Sequence, residues 1–126
     1  VTVPPRVITT VNSGRSANRV DLVFLGDGYT SSEISNYAAK VSDLTATLFL
    51  ERPLSIYAPY FNVHRLDVTS NSSGVDHDLS YPLERDTALG MEFWCQDRES
   101  TLCLDLALTN EYSSFAPDID QIVVLG

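Results

Sequence analysis

Asn18-Arg-Val-Asp-Leu-Val-Phe-Leu-Gly-Asp-Gly-Tyr-Thr-Ser-Ser-Glu33 decides the fold. Val20, Leu22, Val23, Phe24 and Leu25 make a nearly unbroken apolar run. A run of this kind suits a strand covered on both faces, as in a parallel sheet. Gly26 and Gly28 flank Asp27, so the backbone can turn sharply where other side chains would clash. Thr30 and Glu33 have the spacing of a capping box, which predicts a helix start there. Strand, tight turn and helix in succession are how α/β domains build sites at the carboxyl edge of a sheet.

Downstream, Ile34, Tyr37, Ala38, Val41, Leu44 and Leu48 recur at three- and four-residue spacing. That spacing predicts one apolar helical face over about 31–50. Pro53 ends the helical region, and the apolar connector Leu54–Tyr60 is expected to pack on the core. Phe61–Thr69 reads as a second strand, with Phe61 and Val63 facing one way and Leu66 and Val68 the other. A strand–helix–strand unit with parallel strands is a right-handed crossover.

A polar, irregular stretch follows from Ser70 to Leu89, and a loop of that length in a compact domain is usually functional or disordered. Residues 90–103 carry no clear pattern. A helix is expected from Leu102 to about Phe115, with Leu102, Leu106 and Ala107 on its apolar side. Asp120–Gly126 reads as a further buried strand. Upstream, Val7–Val11 is β-branched and predicts a short strand inside a leading segment, residues 1–18.

The expected fold class is therefore α/β. It is a mostly parallel sheet of three to four strands with flanking helices, spanning residues 19–126. With two helices for such a sheet, one face is expected to be partly bare. The chain therefore reads as half of a larger domain, or as one that pairs with another partner.

Composition narrows the partners. With 126 residues and 44% apolar content, the chain is that of a globular domain. It carries 8 basic and 17 acidic residues, a net charge of −9, with Lys40 as its single lysine. Nucleic acid and anionic membranes need clustered Lys and Arg, so neither is expected as a partner. No stretch approaches the roughly 20 apolar residues of a membrane helix. Val1 is neither an initiator Met nor part of a charged, apolar leader, so a processed or excised form is expected. Cys95 and Cys103, eight positions apart, can close a short loop in an oxidising compartment or remain two thiols in a reducing one. Asn71-Ser-Ser73 is a glycosylation sequon. Together with the scarcity of lysine these features favour a secreted protein.

The residues alone do not assemble a complete active site. The two histidines, His64 and His77, fall short of the three or four ligands of a zinc site, and no His-Glu-x-x-His segment exists. His64 sits on a strand, where a hydrogen-bonded structural histidine is the commoner reading. Asp27 reads as a turn former or a site residue, the turn former being favoured. The Gly26-Asp-Gly28 turn fails both the dinucleotide and the phosphate-loop patterns. There is no Gly-x-Ser-x-Gly elbow. Asp76, Asp78 and Asp86 form an oxygen-rich loop of the kind that suits calcium.

Several blocks in order carry a resemblance. Asp21-Leu-Val-Phe-Leu-Gly-Asp-Gly-Tyr-Thr30 is followed by Pro59-Tyr-Phe-Asn-Val-His-Arg65 and Ser73-Gly-Val-Asp76. Arg85-Asp-Thr-Ala-Leu-Gly90 and Asp120-Gln-Ile-Val-Val-Leu125 complete the set. Together they resemble the IgA-peptidase-like family of secreted zinc metallopeptidases. The resemblance implies a protein or peptide substrate and a zinc-dependent parent enzyme. Its His-Glu-x-x-His helix would follow this region, in the remainder of the same polypeptide. No catalytic or zinc-binding residue is implied within residues 1–126. The expected role is scaffold, with Asp27, Tyr29, His64, Asp76 and Asp86 lining a cleft. The alternative is a binding or structural module on the same scaffold, without catalysis.

Overall fold

The computed structural model describes residues 6–74, 87–93, 95–98, 101–116 and 118–126. Its elements in order are strand β1 (Arg6–Val11), strand β2 (Val20–Gly26), helix α1 (Ile34–Leu48), helix α2 (Leu54–Tyr57), strand β3 (Phe61–Asp67), helix α3 (Leu106–Ser113) and strand β4 (Gln121–Leu125). The four strands form one mixed sheet in the order β1-β3-β2-β4. β2 pairs in parallel with β3 and with β4. β1 adds an antiparallel edge to β3.

The sheet carries a core on each face. Leu22, Phe24 and Val63 pack with Tyr37 and Val41 of α1. Val23, Leu25, Leu66 and Val68 pack on the other side with Leu89 and Ala116, joined by Leu108 and Tyr112 of α3. Strand alternation explains the division, because neighbouring residues of β2 point to opposite faces. β3 divides as its sequence predicts, Phe61 and Val63 to one side and Leu66 and Val68 to the other. The face expected to be partly bare is covered by Ala88, Leu89 and α3.

Four local expectations are corrected. Helix α1 begins at Ile34, three residues late, because Thr30 spends its hydroxyl on the Glu33 carboxylate at 2.9 Å and not on the backbone. Connector residues Ile56, Tyr57 and Tyr60 are exposed and do not pack on the core. In α3 the apolar face is not Leu102, Leu106 and Ala107, for Leu106 is 72% exposed. Instead Thr109 and Ser113 turn inward, their hydroxyls satisfied by the carbonyls of Asp105 and Asn110. Asp105 caps this helix by accepting from the Leu108 N–H, which sets its start at Leu106. Finally, β4 is a half-exposed edge strand and is not buried, since it has β2 on one side only among the described residues.

Candidate functional site

Two polar centres sit at opposite ends of β2. The first is the carboxyl edge, where Gly26, Asp27, Gly28 and Tyr29 leave the sheet. Gly26 lies against two aromatic rings: a Cβ there would come within 2.8 Å of Tyr37. Gly28 takes a left-handed φ of 76°, a conformation that favours glycine. Asp27 is 1% exposed. Its Oδ1 accepts from the Leu89 N–H at 2.9 Å and its Oδ2 from the Met91 N–H at 2.7 Å. Its own N–H donates to the Leu125 carbonyl of β4 at 2.7 Å. Ser70 completes the arrangement. Its Oγ donates to Asp27 and accepts from the N–H groups of Gly28 and Ala88. Gly74 N–H donates to the Gly28 carbonyl at 2.8 Å.

Chain direction marks this edge as the place for a ligand. From β2 the chain crosses to β3 on one side, and from β3 it returns to β4 on the other. The reversal lies between β2 and β4, and open α/β sheets bind ligands in the crevice at that point. A concavity of about 430 Å³ opens there, lined by Tyr29, Lys40, Asp43, Leu44, Val124, Leu125 and Gly126. Lys40 Nζ donates to the Tyr29 hydroxyl at 3.3 Å and lies 5.3 Å from the ring centroid.

The second centre lies at the amino edge. Asp21, 0% exposed, and His64, 4% exposed, meet at 2.9 Å between Oδ1 and Nε2. Parallel pairing explains the meeting: Asp21 stands opposite Asn62, and His64 follows two residues along the same face. Asn62 Nδ2 and Ser16 Oγ also donate to Asp21 Oδ1, each at 3.2 Å. On the far side of the imidazole, Thr9 Oγ1 lies 3.0 Å from Nδ1. Burial pushes the Asp21 carboxyl up, but the hydrogen bonds from His64, Asn62 and Ser16 outweigh it. The net result holds Asp21 below its ordinary value.

The residues singled out from sequence therefore do not form one cluster. Tyr29 lines the concavity. Asp27 is buried beside it, its carboxylate spent on backbone donors. His64 stands opposite Val23 and turns toward the amino edge, roughly 13 Å back along the sheet from Asp27 at 3.3 Å per residue. Asp76 and Asp86 lie outside the described residues, as do His77 and Asp78. Asn71 is exposed just past β3. Cys103 pairs its backbone with Glu92, while the Cys95 side chain lies outside the described part. Sequence reading passed over Asp21, although a lone carboxylate inside an apolar run was the signal that it had a buried partner.

A zinc ion does not fit the described residues. No group of three or more His, Cys, Asp or Glu side chains among them is gathered to hold a metal. Both ring nitrogens of His64 are engaged by protein partners.

Fold and site define an α/β domain with a built crevice at the carboxyl edge of a mainly parallel sheet. The chain belongs to the IgA Peptidase M64 family, whose model matches residues 8–126. No curated protein matches it. Four of the five blocks that carry the resemblance converge on one turn: Gly74 bonds Gly28, Leu89 bonds Asp27, and Asp27 bonds Leu125.

Proposed function

We propose that residues 19–126 form the N-terminal scaffold of a secreted zinc metalloendopeptidase, with the zinc ligands supplied by other parts of the polypeptide. The observation that carries this reading is the concavity between Tyr29, helix α1 and the end of β4 in a chain of a peptidase family. Peptide hydrolysis is the activity, and a protein or peptide is the substrate. Zinc supplies the Lewis acid for attack on the peptide carbonyl; no step of that chemistry is assigned to the described residues. The contribution of this region is positional. Asp27 and Ser70 hold the carboxyl edge rigid, and Tyr29 and Lys40 give the crevice one apolar wall and one cationic group.

Secretion is part of the proposal. It is supported by two cysteines, a sequon at exposed Asn71 and a single lysine. A Cys95–Cys103 disulfide would staple the segment that Glu92 and Cys103 already bridge through their backbones. The test is casein cleavage by the protein carrying this chain, with and without a chelator, alongside metal analysis. Cleavage lost to chelator and restored by zinc is the expected result. A folded, zinc-free protein without cleavage would instead make this a binding module, and chelator-insensitive cleavage would remove zinc from the reading.

A further inference from the structure

The amino-edge centre has a chemistry of its own, distinct from the crevice and independent of the peptidase reading. Thr9, His64 and Asp21 lie in line across three strands. Their separations are 3.0 Å from hydroxyl to Nδ1 and 2.9 Å from Nε2 to carboxylate. A carboxylate only accepts, so the imidazole Nε2 must carry a proton toward Asp21. In the neutral ring Nδ1 is then a free lone pair, and the Thr9 hydroxyl donates to it. A hydroxyl bonded to a base, with the base oriented by a third group, is the arrangement of an activated nucleophile.

Four further features fit that role. His64 and Asp21 are buried, whereas Thr9 is exposed on the edge strand. Asp21 Oδ2 is buried with no hydrogen-bond partner among the described residues, so charge remains to stabilise an imidazolium. The register of β1 shifts between Thr9 and Val11, and such bulges re-aim side chains beside reactive sites. The outer edge of β1 pairs with no other strand among the described residues, and edge strands present outward N–H groups, the donors that suit a developing oxyanion.

We propose that Thr9 is an acyl-accepting nucleophile, activated by His64 and Asp21, that reacts with small activated esters. The Thr9 Oγ1–carbon bond forms as the bond from carbonyl carbon to leaving oxygen breaks. The hydroxyl proton passes to His64 Nδ1 and from there to the leaving oxygen. No other co-reactant is needed.

Thr10 is an internal control. It is also exposed, but its hydroxyl donates to the Val63 carbonyl at 3.3 Å and has no base beside it among the described residues. The protein carrying this chain is treated with p-nitrophenyl acetate, and acetylated positions are timed by peptide mass mapping. General-base help predicts that Thr9 labels on the order of 100-fold faster than Thr10. Comparable labelling of the two threonines overturns the proposal. In H64Q, shown to be folded by circular dichroism, the preference should vanish, and its survival would also overturn the proposal. T9S should keep the labelling and T9A should lose it. Should H64Q fail to fold, the Thr9-to-Thr10 ratio in the parent protein still decides.

Discussion

Asp27 holds Met91 by a 2.7 Å bond from the backbone N–H to Oδ2, across 64 positions of sequence. With the Leu89 bond to Oδ1, the carboxylate satisfies two donors that no strand reaches. Asp27→Asn places an amide NH₂ where one oxygen accepted, so a backbone N–H then faces another donor. A loss of about 1.5–3 kcal/mol is expected, the size of a hydrogen bond to a charged group. Urea unfolding measures it. An unchanged midpoint would show that Leu89 and Met91 have found water.

Acid should act through Asp21. Its folded pKa is lowered, so the stability it contributes is present above its unfolded value. That stability is lost as the pH falls through the folded one. The parent protein is therefore expected to weaken progressively below pH 3.8, the ordinary value of the carboxyl. Asp21→Asn should lower stability at neutral pH and flatten this acid limb. Denaturant midpoints taken across the acid range compare the two slopes directly.

Two glycines separate strain from collision. Gly28 and Gly90 both have left-handed φ, at 76° and 63°. A Cβ on Gly28 would lie 2.6 Å from the Gly74 carbonyl carbon, while on Gly90 the nearest atom is 3.9 Å away. Gly90→Ala should therefore cost only the backbone strain, about 1–3 kcal/mol. Gly28→Ala should cost more, because backbone has to move. Equal shifts in thermal midpoint would mean that the Gly74 loop yields freely.

Tyr37 is buried against β2, and its hydroxyl donates to the Phe24 carbonyl at 2.8 Å. Burial pushes its phenol up, with the charge of Asp67 adding to the effect, so the group stays protonated and remains a donor. Tyr37→Phe keeps the ring and removes the phenol's bond to the Phe24 carbonyl, which costs about 0.5–1.5 kcal/mol. The matching readout is faster exchange of the amide hydrogens where α1 meets β2.

Legibility followed the range of the interaction. β2 and α1 were readable because their patterns are local: an apolar run and a recurring helical face. The face of α3 was misread because its inward positions are Thr109 and Ser113, small hydroxyls that satisfy themselves on carbonyls three and four residues back. The start of α1 was misread because Thr30 and Glu33 bond each other through side chains. The Asp21–His64 pair joins residues 43 positions apart through the register of two strands, which composition and spacing do not carry. The Gly-Asp-Gly turn announces the carboxyl edge, and Tyr29 directly after it lines the concavity there.

Ser70 and Ala88 are joined by a 2.9 Å bond, and Gly74 is tied to Gly28. The two stems of the intervening segment are thus fastened to one turn before that segment contributes anything. Leu89 and Met91 are tied to the Asp27 carboxylate of that same turn. The carboxyl edge of β2 is therefore a knot of three distant stretches of sequence, so a change at Asp27 or Ser70 is felt in all of them at once.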